Sequence, residues 1–185
     1  MKISNTIFKL YNYFGNLRIA IVFLFITGML LLAESQFEEY IISQFSIINL
    51  QIAFSAADFE TILNSWGSSG IEFYKKYLIT NCLFAVSLSL LLLSAVSHYK
   101  LKLNTKYLPD KKDLSFVASL IGYLFFNLLQ NVLHLIIIEA QYFSNAIVIT
   151  AGASTIAKWL FLSLCFSTLA FVYFRFRRRH QPPTS

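Results

Sequence analysis

The sequence predicts an all-α protein: a four-helix transmembrane bundle with a short outer amphipathic helix. Three observations predict it. Four segments are apolar over the roughly 20 residues that a helix needs to cross a ~30 Å hydrocarbon core. Only 13% of the 185 residues are charged and 57% are hydrophobic, against ~25% and ~45–50% in soluble domains. The basic residues gather at one set of span ends. This composition excludes an ordinary soluble domain, a disordered chain and a disulfide scaffold. Four lone strands cannot close a barrel, so helix is the conformation that satisfies the backbone in lipid.

The spans fall at residues 17–34, 77–98, 114–138 and 147–174 of a single membrane domain, 1–180. The first is apolar except for Arg18 and Thr27. Its apolar run is too long for the core of a signal peptide, and no small-residue cleavage site follows it, so it reads as an uncleaved anchor. The second is built on Leu88-Ser-Leu-Leu-Leu-Leu93, the third carries several amides, and the fourth is uncharged except for Lys158. Spans two and three are joined by a basic loop containing Leu108-Pro-Asp110, and residues 181–185 read as a disordered tail.

Charge sets the orientation. Twelve of the 15 Lys and Arg residues precede or begin span one, lie between spans two and three, or follow span four. They include Lys100, Lys102, Lys106, Lys111 and Lys112, then Arg175, Arg177, Arg178 and Arg179. With Asp110 and Asp113 that side carries +10, while the opposite side carries −5 and Lys158 adds +1. The positive-inside rule then places both termini in the cytoplasm. The location expected is a plasma (inner) membrane. The basic side attracts anionic headgroups. No binding fold surrounds it, so nucleic acid is not an expected partner.

The outer loop, 35–76, is too long for a simple turn. Ile47–Phe54 partly alternates and reads as extended. Ser55 caps a short helix, with Asp58 at the capping-box position. Phe59, Ile62, Leu63 and Trp66 recur at helical spacing and make one apolar face. Gly67-Ser-Ser-Gly70 ends that helix, and residues 71–77 begin the helix of span two. Phe59, Trp66, Gly67, Gly70 and Tyr74 form an outer lid, read as structural or as a recognition surface.

Polar groups inside a span are costly and point to function. In span three Asn127, Gln130, Asn131 and His134 share one face, extended by Tyr123 and Gln141. Counting ~1.5 Å per residue from the basic side puts Asn127 ~20 Å deep and His134 ~30 Å deep. The same rise puts Glu34 at ~24 Å, with Asn81 and Lys158 at ~25 Å. Six of these residues therefore converge in the outer third of the membrane: Lys158, Gln130, Asn131, His134, Asn81 and Glu34, with Asn127 just below. The expectation is one polar cluster with Lys158 as its cation and Glu34 as a counter-ion. It serves as a ligand site or as hydrogen-bonded glue between helices. Ala151, Gly152, Ala153, Ser154 and Thr155 near Lys158 allow close helix contact.

The pattern Phe59-x-x-x-Leu63-x-x-Trp66-Gly67-x-x-Gly70-x-x-x-Tyr74, then Asn127-x-x-Gln130-Asn131, then Ala157-Lys158, resembles a family of uncharacterised four-span bacterial membrane proteins. The resemblance covers residues 50–165. It implies a span-two acid where this chain has Asn81, and a D-x-x-E-N motif where it has Asn127-Leu-Leu-Gln-Asn131. Losing these acids neutralises the cluster and argues against a proton relay or ion pair. The family implies no activity.

Catalytic residues, metal ligands and cofactors are not expected. Cys82 and Cys165 make no CxxC pair and differ in depth by ~10 Å, which argues against a disulfide. His98, His134 and His180 lie at different depths and cannot ligate one haem. No metal-protease, P-loop or dinucleotide motif is present. The reading is a non-enzymatic membrane protein that binds a lipid or protein partner through the outer polar cluster. A small transporter or channel subunit working as a homo-oligomer is the alternative. Orientation is directly testable: a reporter fused to the C-terminus that matures only outside the cytoplasm is expected to stay dark. A bright reporter would reverse the topology.

Overall fold

The computed structural model describes residues 2–41, 44–103, 111–141 and 143–180. Leu108-Pro-Asp110 and the 181–185 tail lie outside the described residues. The chain is all-α, with α1 (Lys2–Phe14), α2 (Leu17–Tyr40), α3 (Ile47–Gln51), α4 (Ala56–Leu103), α5 (Lys111–Ala140) and α6 (Asn145–His180). α2, α4, α5 and α6 are long and apolar enough to cross a bilayer, with mean hydropathies of 2.1, 2.1, 1.7 and 1.7 over their most apolar windows. This is a multi-pass helical membrane protein. α2 turns a stripe of Val22, Phe25, Met29 and Leu32 outward. A stripe of that size would be a liability in water and is an ordinary lipid-facing surface in a bilayer.

The helices outlast the spans read from sequence, because polar residues beyond a span continue the same hydrogen-bonded ladder. Two elements differ from expectation. Residues 2–14 form α1, whose Ile7 and Tyr11 are buried one turn apart while Lys9, Asn12 and Tyr13 face outward. Residues 47–51, read as extended, form α3. The reason is local: Ser46 Oγ accepts from the Asn49 N–H at 3.4 Å, and Asn49 Oδ1 accepts from the Ser46 N–H at 2.8 Å. That reciprocal pair is a capping box with Asn in the place of the usual Glu or Gln.

α4 is two helices in one run. Ser55 Oγ accepts from the Asp58 N–H at 3.1 Å and donates to Asp58 Oδ2 at 2.6 Å, which starts the first. The break falls at Gly67 alone, at φ 65° and ψ −178°. The helix then resumes at 68, so Gly67-Ser-Ser-Gly70 is a single-residue kink rather than a four-residue stop. Gly70 is already helical. A Cβ there would come within 2.7 Å of Trp66 Cβ, so its bareness lets Trp66 fold down.

Contacts divide the chain into two compact units. The first holds residues 1–27, 87–121 and 161–185. Its polar centre is Asp113, fully buried in the first turn of α5, where a helix N-terminus favours negative charge. Asp113 pairs with Lys100 of α4 and accepts from the Tyr11 hydroxyl of α1 at 3.3 Å. His98 Nδ1 donates to the Gly15 carbonyl at 3.0 Å, which fixes that nitrogen as the protonated one. A Cβ on Gly15 would overlap Leu101 Cδ1 and come within 2.8 Å of the Tyr11 carbonyl oxygen, a backbone atom, so glycine suits the turn between α1 and α2. Tyr99 packs on Tyr173 and Phe176 of α6. The second unit holds residues 28–86 and 122–160, with an apolar core that includes Phe59, Trp66, Tyr74, Leu78 and Ile137.

Gly67 provides a clean test. Nothing lies within 4 Å of a Cβ built on Gly67 or on Gly28, so the two differ only in backbone conformation. Gly67→Ala is expected to cost about 1–3 kcal/mol, because that region of backbone space is open essentially to glycine alone. Gly28→Ala is expected to leave stability unchanged or raise it slightly. Thermal unfolding in detergent measures both.

Candidate functional site

All seven residues expected in the polar cluster lie in the second unit. The fold brings them together in two groups. The first is built on Asn81 of α4. Its Nδ2 donates to Glu34 Oε1 of α2 at 3.1 Å and to the Tyr77 hydroxyl at 3.4 Å. Its Oδ1 accepts from Asn131 Nδ2 of α5 at 3.1 Å. Asn131 Nδ2 also reaches the Leu78 carbonyl at 3.2 Å and Cys82 Sγ at 3.1 Å. Asn127 Nδ2 reaches the Asn81 carbonyl at 3.5 Å, and Asn127 Oδ1 accepts from Lys158 Nζ of α6 at 3.5 Å. Glu34 and Lys158 are thus joined through Asn81 and Asn127, an acid and a base bridged by two amides. The expected role of Glu34 as counter-ion takes this indirect form, with Asn81 as its bonded neighbour.

Lys158 is 3% exposed and lies inside the unit. Its ammonium has three N–H donors. Among the described residues, Asn127 Oδ1 is the one acceptor within bonding distance, and the Trp159 ring lies 5.7 Å away. Gln130 is fully buried, and among the described residues neither its Nε2 nor its Oε1 has a partner. Asn131 Oδ1 is likewise unmet. Helical spacing puts Gln130 three residues from Asn127 and beside Asn131 on one face of α5. The α5 face therefore carries well-paired amides, the one amide that meets the Lys158 ammonium, and in Gln130 an amide with no partner among the described residues.

The second group is the lid. His134 Nδ1 and the Tyr74 hydroxyl are 2.5 Å apart, and Phe59 meets the His134 ring edge-on at 5.3 Å. Trp66 packs on Tyr74, and its indole donates to the Phe45 carbonyl at 2.9 Å. Tyr74 stacks on Tyr77. His134 belongs to this aromatic group rather than to the Lys158 group. Tyr123 is buried on the α5 stripe, whereas Gln141 has left the helix at φ 49° and is exposed.

Sequence reasoning missed Tyr77 and Gln51, and placed Thr155 only among the small residues near Lys158. Gln51 Nε2 donates to the Tyr77 hydroxyl at 3.2 Å, and the Gln51 carbonyl accepts from Thr155 Oγ1 at 2.9 Å. The pair clamps α3 between α4 and α6. Gly152 completes the clamp, since a Cβ there would lie 2.9 Å from the Ala53 carbonyl. The small residues of α6 thus admit the loop backbone; Ala153 alone of that run faces outward. The only signal in the sequence was that run itself.

Among the described residues no group of three or more His, Cys, Asp or Glu side chains is placed to hold a metal ion. Comparison with known proteins finds no matching family model, no matching curated protein and no matching solved structure.

The amide bridge makes a quantitative prediction. Asn131→Leu removes the bonds from Asn131 to α4 and strands Asn81 Oδ1. It is expected to cost about 1–2 kcal/mol, the upper range for side-chain bonds between membrane helices. Asn131→Asp with Asn81 intact is expected to cost at least as much, since a carboxylate cannot donate to the Leu78 carbonyl. Equilibrium unfolding in mixed micelles reads both.

Proposed function

We propose that this is a non-enzymatic membrane protein that binds the polar group of a lipid or protein partner in the cluster around Lys158. The observation that carries the reading is Gln130. A buried amide with neither atom bonded costs about 1–3 kcal/mol, and leucine in its place would carry no such penalty. A bound polar group would recover that cost. Lys158 supplies the complementary charge, with donors still open. The motif resemblance is part of the proposal, since Gln130 and Lys158 both fall in its matching segments. The proposed setting is the plasma membrane of a bacterium with both termini cytoplasmic. The distribution of Lys and Arg supports it.

Gln130→Leu separates binding from structure. The variant is expected to fold with unchanged or higher stability, by up to about 2 kcal/mol, because an unmet amide is removed. It is also expected to lose, by tenfold or more, the lipid or protein adduct that the wild type carries in native mass spectrometry from mild detergent. Lys158→Met is expected to lose the same adduct. A wild type that carries nothing when extracted directly from its membrane overturns the proposal. So does a Gln130→Leu protein that keeps every adduct the wild type carries.

A further inference from the structure

A groove of about 380 Å³ lies in the part of the second unit formed by α3 and the first half of α4. Phe45, Ile52, Phe54 and Ile62 make much of its wall, with the polar groups of Asn49 and Asp58 among them. The volume is in the range of a small-molecule site. None of its residues belongs to the Lys158 cluster. We propose that this groove takes the ammonium head of an amine-bearing bilayer lipid.

Charge selects the head. Among the described residues Asp58 is the one ionisable group in the lining, and no base accompanies it. Its carboxylate is held in place by the helix cap, where Oδ2 accepts from Ser55 Oγ. A carboxylate has about four lone-pair sites, and this cap occupies one. An anionic head would be repelled there. The rings of Phe45 and Phe54 offer the negative faces that attract an ammonium.

The surroundings select a lipid. Ile48, Ile52 and Phe54 are exposed apolar residues on the same loop. Phe54 packs onto α6 at Gly152, where a Cβ would come within 3.1 Å of its ring. On either side of Gly152, α6 turns Ile149 and Ile156 outward. The groove therefore borders a surface on which an acyl chain can lie, with a head of fixed charge preference at its end.

The chain carries its own reporter. Trp66 and Trp159 are its two tryptophans, and the Trp66 indole is bonded to the carbonyl of Phe45 in the groove wall. In Trp159→Phe protein in maltoside micelles, hexyltrimethylammonium is expected to change Trp66 emission saturably. Hexanoate and hexanol are expected to bind at least tenfold more weakly. Asp58→Asn keeps an oxygen that can accept from Ser55, so the helix should survive, as far-UV circular dichroism would verify. It is expected to weaken ammonium binding tenfold. In nanodiscs of mixed phosphatidylethanolamine and phosphatidylglycerol, native mass spectrometry should show the former enriched on the wild type and on Gln130→Leu, but not on Asp58→Asn. That pattern separates this site from the Lys158 cluster. Equal binding of hexanol and the ammonium would make the groove merely apolar and overturn the proposal. So would an unchanged affinity in folded Asp58→Asn, enrichment of the anionic lipid, or no saturable response.

Discussion

The second unit depends on the approach of the Asn131 amide to α4. Within a bilayer, apolar side chains gain little by leaving lipid for one another, so helix pairing rests on packing and on interhelical hydrogen bonds. The Leu78 carbonyl lies within the α4 helix, and a carbonyl oxygen has a second lone pair. Asn131 takes it, and in the same step takes the side-chain oxygen of Asn81. That leaves the Asn81 amide nitrogen directed to Glu34 and Tyr77. One amide on α5 thereby orients an amide on α4, which in turn meets α2. Tyr77 hands the connection on to Gln51, and Gln51 to Thr155 on α6. Every spanning helix of the unit is reached from that single contact.

Against this paired network, the unpaired groups stand out as a different kind of feature. Glue and site are both made of buried amides, and composition alone cannot separate them. Satisfaction can. Asn81 and Asn131 Nδ2 spend their donors on protein acceptors, which is what glue does. Gln130 spends neither its donor nor its acceptor, and Lys158 reaches one acceptor at 3.5 Å. Amide-bridged coupling to Glu34 keeps the cluster close to neutral without quenching those open positions. The same face of α5 therefore holds a structural half and a half with capacity left over.

The features legible in the sequence were those set by short-range chemistry. Hydropathy and length gave the four spans, because lipid leaves helix as the only economical backbone. The Phe59, Ile62, Leu63, Trp66 spacing gave the first half of α4, and Ser55 with Asp58 gave its start. Depth counting placed Asn81, Gln130, Asn131 and Lys158 at one level, because helix rise is constant. α1 was missed because its buried face is only Ile7 and Tyr11, with Lys9 between them and Asn5 and Thr6 before them. α3 was missed because its capping box uses Asn49. Pairings across long stretches of chain were illegible for a different reason. Tyr74 and His134 lie 60 residues apart, and Gln51 and Thr155 lie 104 apart. Depth fixes the level of a residue, but the rotation of one helix against another decides which neighbours meet. That rotation is set by shape: Gly152 under the Ala53 carbonyl is where backbones can close.

The same contacts bear on how a ligand could reach the Lys158 cluster. The loop that covers the unit is tied down at several independent points. The Ala56 N–H is held by Asn145 Oδ1 at 2.7 Å, the Gln51 carbonyl by Thr155, the Gln51 amide by Tyr77, and the Phe45 carbonyl by Trp66. At about 0.6–2 kcal/mol for each such bond, lifting the loop would forfeit several kcal/mol before any ligand contact formed. It would also unseat Phe59 from His134. The contact between α5 and α6 at the cluster is of another kind: a single bond of 3.5 Å from Lys158 to Asn127, with small residues one turn earlier on α6. Trp159 and Leu128 beside it face outward. Lateral entry between α5 and α6 asks for less disruption than entry through the loop. A molecule already dissolved in the bilayer can use that route and one confined to water cannot, so the bonding pattern of the loop favours a lipid over a soluble partner as the occupant.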